Sequence, residues 1–284
     1  MKILVTNDDG VASPGLAALS EALDKILQGK GESADEIVII APERPRSASG
    51  HSITLHKPLR IEEAKLSNGR PVYSSNGTPS DCVTLGFDVL LQQKADIVIS
   101  GINAGPNLGW DLSYSGTVSA AVEGAIVGVP SFAISVVSLP DTEPLDVGSY
   151  SLAADFAVRL AEQIVENRVP PKQMEHRAGF NGLLLNVNVP ALPADQIKGI
   201  ALTRQGKRRY VDRIDARLDP WGRPYYWICG NIQDDESDVG SDIYAVLHHW
   251  ISVTPLQLDM TAQHQFSFLK QWDLGFPVNR HGES

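Results

Sequence analysis

Short runs of uninterrupted apolar residues, separated by stretches of helical periodicity, constrain this chain more than any other feature. ILVT (3–6), EIVIIA (36–41), DIVIS (96–100), PSFAISVV (130–137) and LLLNVNV (183–189) are continuous rather than alternating. A strand with one wet face alternates apolar and polar residues, so a continuous run marks a strand covered on both faces. Helical patterns lie between the runs. Ser13 is a good N-cap with Pro14 at the first helical position, and Leu16, Leu19, Leu23 and Ile26 follow at helical spacing. Residues 79–91, 117–127 and 150–165 read as further helices, the second rich in small residues that demand close packing. Strand and helix in alternation predict an α/β fold, a doubly wound and mostly parallel sheet with helices on both faces. The length of 284 residues, 43% hydrophobic, suits one large domain or a domain with an appended piece.

The pattern changes after residue 189. Residues 203–230, TRQGKRRYVDRIDARLDPWGRPYYWICG, hold two strand-like runs around the turn signal DPWGRP, which predicts a β-hairpin arm leaving the core. Trp221, Tyr225, Tyr226 and Trp227 are many aromatics for a free arm, so contact with a partner is expected of it. The acidic stretch NIQDDESDVGSD (231–242) reads as a mobile solvated loop, and residues 263–272 as a closing helix. The reading is one domain over 1–284, with 200–255 as the protruding hairpin and oligomerisation region.

Charge and cysteine usage narrow the function. A net charge of −10 disfavours a nucleic-acid binder, which needs a basic face. The basic group Arg204, Lys207, Arg208 and Arg209 reads instead as pairing with acidic neighbours such as Asp212 and Asp215. Two cysteines, Cys82 and Cys229, lie far apart without CxxC spacing, which argues against a disulfide framework and a zinc site. The chain starts directly with a strand, shows no leader pattern, and has no run near the roughly 18 apolar residues of a membrane span. A cytoplasmic protein without membrane association is the expectation.

Open α/β sheets bind ligands beyond the carboxyl ends of their strands. Three loops leave those ends here: NDDG (7–10), APERPRSASGHS (41–52) and SGINAGPNLGWD (100–111), the last running through SYSGT (113–117) into a helix. Asp8 and Asp9 repel one another. Alone they suit a solvated turn equally well, but at the end of a buried strand they suit a hard cation, Mg²⁺ or Mn²⁺. Asn103 follows its strand as Asn7 follows the first. The 47–52 loop offers hydroxyls and, through Gly50, backbone amides; His51 is a candidate acid or a loop cap. Ser115, Gly116 and Thr117 open a helix whose free amides suit a phosphate. Asn7, Gly50 and Asn103 join these three as candidate phosphate-binding residues. GxGxxG and GxxxxGK[ST] are absent, which disfavours a dinucleotide enzyme or a P-loop NTPase. The set as a whole fits metal-assisted hydrolysis of a phosphate ester.

MKILVTNDDG, APERPRSASGHSIT, GTPSDCV (77–83), SGINAGPNLGWD and SGTVSAAVEGA (115–125) together resemble the SurE family of survival proteins. The likeness resumes at LLLNVNVP, TRQGKRRY and SVTP (252–255), while an insert around 170–180 and the tail GFPVNRHGES depart from it. The resemblance implies a metal-dependent 5′/3′-nucleotidase acting on nucleoside monophosphates, with short polyphosphate as a further substrate. It implies one divalent ion ligated by Asp8, Asp9, Ser47 and Asn103, where Ser47 follows the arginine of an RSA stretch. It also implies a Rossmann-like core and a C-terminal hairpin that builds homodimers or homotetramers. Asp8 and Asp9 are the expected catalytic pair, ahead of His51 as the group that activates water. An aspartyl-phosphate intermediate is the variant mechanism. A non-catalytic nucleotide or metal sensor on the same fold is the alternative function, and an interaction protein working through the arm is another.

Overall fold

The continuous apolar runs are strands, and both faces of each are covered. The computed structural model describes residues 1–30, 36–140, 144–167, 183–211, 214–273 and 275–276. In chain order the strands of the main sheet are β1 (Lys2–Thr6), β2 (Glu36–Pro42), β3 (Ile61–Lys65), β4 (Pro71–Ser75), β5 (Ile97–Ala104), β6 (Ser131–Val137), β7 (Leu184–Pro190), β8 (Gly199–Leu202) and β13 (Trp250–Pro255). They form a nine-stranded sheet in the order β3-β4-β2-β1-β5-β6-β7-β13-β8. The strands from β4 across to β7 are parallel neighbours, as the apolar runs predict. β3 runs antiparallel at one edge, and β13 inserts antiparallel to β7 and parallel to β8 at the other.

Side chains alternate across β1, and each face finds its own helix layer. Ile3 and Val5 pack with Leu16, Leu19, Ala153 and Ala157 from α1 (Pro14–Lys30) and α4 (Ser151–Glu166). Leu4 packs on the other face with Cys82, Val83 and Ala120 from α2 (Pro79–Leu85) and α3 (Gly116–Ile126). A fully buried Leu or Ile stabilises the fold by about 2 kcal/mol relative to exposure, so these layers dominate its stability. The predicted N-cap is in place, with Ser13 Oγ accepting from Leu16 N at 3.3 Å.

Several expectations need correction. The helix expected over 79–91 is α2 followed by a π-helical turn, Gly86–Leu90. The closing helix of 263–272 reduces to a 3₁₀ turn, Gln263–Gln265, and the short α6 (Phe266–Leu269). The hairpin is present as β10 (Ile214–Leu218) paired antiparallel with β11 (Pro224–Ile228) around the DPWGRP turn. The acidic stretch is not wholly a loop. Its first residues form β12 (Asn231–Asp234), paired with β9 (Arg208–Val211) at the hairpin's base. Its last, Ser241 and Asp242, cap and begin α5 (Asp242–Leu247). The 200–255 boundaries take in β8 and β13, which belong to the main sheet. The insert around 170–180 lies outside the described residues, as does most of the tail.

Candidate metal centre

From β1 the chain winds outward to β2 on one side and later to β5 on the other, so the strand order switches direction between β1 and β5. A crevice opens beyond the carboxyl ends at such a point. Thr6 pairs with Ser100 there, which sets Asp8 and Asp9 beside the continuation of β5. Between Ser100 and Asn103 the β5–β6 register slips, three residues of β5 facing two of β6, and this bulge re-aims Asn103. The NDDG turn is built by Asn7. Its amide donates to Gly10 O at 3.1 Å and Ser13 Oγ at 2.7 Å and accepts from Gly10 N at 3.1 Å, with Gly10 at φ +89. The 42–52 loop folds over this turn, as Arg46 N donates to Asp8 O at 2.7 Å.

Asp8, Asp9, Ser47 and Asn103 converge on one cleft of about 290 Å³. Asp8 is only 4% exposed. Burial, with the Asp9 charge adding to it, raises its carboxyl from 3.8 to about 6, against the lowering effect of the Thr117 hydroxyl that donates to Oδ1. Burial also raises Asp9, although Ala104 N donates to its Oδ2 at 3.0 Å. Among the described residues lining the cleft there is no Lys, Arg or His to offset the pair. The Asn103 amide donates to Gly105 O at 2.8 Å, which leaves its side-chain oxygen as a donor atom for a ligand. Adjacent carboxylates, one buried and one half-buried, an amide oxygen and a serine hydroxyl form an all-oxygen set suited to a hard divalent cation that keeps part of its water.

The other candidates divide. Ser115 lines the cleft as the N-cap of α3, accepting from Val118 N at 3.1 Å. Gly116 and Thr117 stand behind Asp8. A Cβ on Gly116 would lie 2.8 Å from Asp8 Cβ, so only glycine lets α3 approach this closely. Asn7 and Gly50 are not brought to the cleft: the first is spent on its own turn, and Gly50 N donates to Tyr114 O at 3.0 Å. His51 Nε2 lies 2.8 Å from Glu123 Oε2, and the ring is not in the lining.

Asn107, Asp111 and Tyr114 complete the wall and escaped the sequence reading. Asn107 is anchored beneath the sheet end: its N bonds Asn188 Oδ1 at 3.0 Å, its amide bonds Ser135 Oγ at 2.8 Å, and its carbonyl accepts from Asn186 and Asn188. Two asparagines inside the apolar run LLLNVNV were the available signal, because buried amides require partners. Asp111 is reached from the hairpin's base by Tyr210 Oη at 2.6 Å and by Arg208 Nη1 at 3.2 Å.

Comparisons with known proteins place the chain in a family. A family model described as survival protein SurE matches residues 3–212. A 5′-nucleotidase SurE of Natranaerobius thermophilus is 43% identical over 276 residues, covering 96% of this chain and 99% of the relative. A 5′-nucleotidase SurE of Geotalea uraniireducens is 46% identical over 275 residues, covering 96% and 100%. The crystal structure of a SurE protein from Aquifex aeolicus superposes with a TM-score of 0.75 at 39% identity, covering 95% of this chain and 98% of that one. The chain belongs to the SurE family.

Proposed function

We propose that this protein is a metal-dependent phosphomonoesterase that hydrolyses nucleoside 5′- and 3′-monophosphates to nucleoside and phosphate. Short polyphosphate is a further substrate of the same cleft. The observation that carries the reading is the pair of buried Asp8 and half-buried Asp9, its charge unmatched by any cation lining the cleft, at the switch point of the sheet. Its 43–46% identity to 5′-nucleotidase SurE relatives supports the substrate class. Asp8, Asp9, Ser47 and Asn103 would hold one divalent ion, Mg²⁺ or Mn²⁺, which when bound supplies a Lewis acid for a phosphoryl oxygen.

The chain's own residues supply the rest. Thr117 holds Asp8 in one rotamer, and Ala104 N does the same for Asp9, so neither carboxylate must reorganise during reaction. The N-terminus of α3, where Ser115 lines the cleft, puts the positive end of the helix dipole on the side where a phosphoryl anion would bind. The proton of the attacking water passes to a carboxylate of the pair, which lines the cleft, whereas His51 lies outside the lining and is held by Glu123.

Assembly as a homodimer or homotetramer through the hairpin belongs to the same reading, supported by Trp221 and Trp227 at 77% and 60% exposure. A cytoplasmic location belongs to the same reading; among the described residues no helix is long and apolar enough to cross a membrane. No nucleic-acid partner belongs to this reading. Arg208 is committed to Asp111 and Asp234, and Arg204 to Asp238.

The test is phosphate release from 5′-AMP and 3′-AMP with Mn²⁺, Mg²⁺ or EDTA, for wild type and Asp8→Asn. Release that requires metal and falls by at least about 10²-fold in the variant is expected. A folded protein that releases no phosphate with either metal would overturn the proposal.

A further inference from the structure

A second cleft, of about 420 Å³, lies on the far side of the 42–52 loop, and its charge is opposite to that of the metal centre. Arg44, Arg46, His56 and Lys57 line it with Asn76 and Thr78, and among the described residues lining it there is no carboxylate. In a chain of net charge −10, a hollow lined by cations and free of acids is a departure that asks for a cause.

Its cations are held together rather than scattered. Arg46 Nη2 and Lys57 Nζ both donate to Asn76 O, each at 3.0 Å. The two positive groups are therefore at most about 6 Å apart, inside a Debye length, with only a neutral carbonyl between them. Arg46 Nε is also buried without a hydrogen-bond partner among the described residues. Nearby acids are occupied or distant. Asp81 accepts from Thr54 N at 3.0 Å and Thr78 N at 2.8 Å, and Glu43 Oε1 approaches Arg44 Nε only to 3.9 Å. Like charges fixed this closely, with an unsatisfied guanidinium donor beside them, match a compact multivalent oxyanion, which accepts from several donors at once.

We infer that this cleft binds a phosphate-class dianion. The site is joined to the metal centre by one stretch of backbone. Arg46 faces the basic cleft, its own N holds Asp8 O at 2.7 Å, and the next residue, Ser47, faces the acidic one. The dianion comes either from free inorganic phosphate or from a second phosphate group on the substrate. The inference goes beyond nucleotide hydrolysis, and its first test needs no turnover.

Inorganic phosphate is titrated calorimetrically into the protein in EDTA, where the carboxylates of the metal centre repel it. Wild type is expected to bind one phosphate per chain, with Lys57→Ala and Arg44→Ala each about tenfold weaker, as for loss of one charge-assisted hydrogen bond. Lys57→Arg should retain binding. Both alanine sites are exposed, so the fold is kept, which circular dichroism checks. With Mn²⁺ present, a KM for adenosine 3′,5′-bisphosphate that rises in Lys57→Ala while that for 5′-AMP stays put identifies the substrate's own second phosphate. Equal KM values, with calorimetric binding lost, identify free phosphate. Wild type that binds no phosphate at millimolar concentration overturns the inference, as do alanine variants that bind it as wild type does.

Discussion

At Asp8 the fold holds a carboxyl where its charge is disfavoured, and the consequence is measurable as a dependence on pH. Its group titrates near the ordinary 3.8 when unfolded and at about 6 when folded, chiefly through burial. Between those values the folded chain binds the extra proton, so the contribution of Asp8 to the stability of the metal-free protein falls as pH rises from 4 to 6. The loss attributable to Asp8 is about 3 kcal/mol at most. Urea unfolding in EDTA at pH 4 and pH 7 should show this loss as the difference between wild type and Asp8→Asn, since Asp81, Asp146 and Asp238, held below the ordinary carboxylate range, act oppositely in both chains. The same proton competes with a cation. Mn²⁺ affinity should weaken about tenfold per pH unit below 6, the behaviour of a ligand that must ionise first. An affinity indifferent to pH between 5 and 7 would remove Asp8 from the ligand set. Gly116 explains why this environment exists, because its missing side chain lets α3 press on Asp8.

At the scale of elements, the wall of the metal cleft is braced by a helix remote in sequence. Asp242, buried at the start of α5, accepts from Gly109 N at 2.9 Å, Gly206 N at 2.8 Å and Ile243 N at 2.8 Å. It thereby ties the loop carrying Asp111 to the strand that starts the hairpin. Asp242→Ala would strand buried amides on two segments and is expected to destabilise the protein by about 3 kcal/mol. Thermal unfolding measures that loss, and a matching fall in metal-dependent turnover at a temperature where the variant is folded would show that the brace serves the site. The acidic stretch 231–242 misled the sequence reading here. Solvation explains its composition, but Asp234 pairs with Arg208, Asp238 with Arg204, and Asp242 with backbone, partners supplied by distant chain. Of the basic group, Arg204 and Arg208 pair with acids, but these are Asp238, Asp111 and Asp234; the expected Asp215 pairs with Arg217, and Asp212 lies outside the described residues.

For the whole molecule the hairpin is the separable part. β10 and β11 pair only with each other, and every residue of β11 is exposed, Ile228 at 83%. An apolar ribbon of this kind is expected to be covered by another copy of the chain. Val211 and Asn231 are paired neighbours at its base, so residues 212–230 can be replaced by a two-residue Asn-Gly turn without disturbing β9 and β12. Light scattering should find wild type as a dimer or tetramer and the shortened chain as a monomer that still binds Mn²⁺, because Asp8, Asp9, Ser47 and Asn103 all precede the arm. A monomeric wild type, or a shortened chain of unchanged assembly, would refute the role given to the hairpin.

The sequence by itself determined the layered core, because apolar periodicity is a local property and a run such as EIVIIA is stable only when covered on both faces. It also determined the neighbourhood of the chemistry, since NDDG and SGIN each end such a run and strand ends at a switch point form the crevice. Edge strands left a weaker trace: IEEAK is charged and half exposed, as an edge that must avoid further pairing tends to be. Tertiary structure alone decided that Asn7 and Gly50 build loops while Asn107, Asp111 and Tyr114 line the cleft, that Thr117 bonds Asp8, and that Arg46 and Lys57 share one carbonyl. The bonds to Asp8 and to the Asn76 carbonyl join residues from 19 to 109 positions apart in the chain. Which polar groups meet across such separations follows from the order in which strands assemble, and a charge or amide written in the sequence carries no mark of the partner that the fold will bring to it.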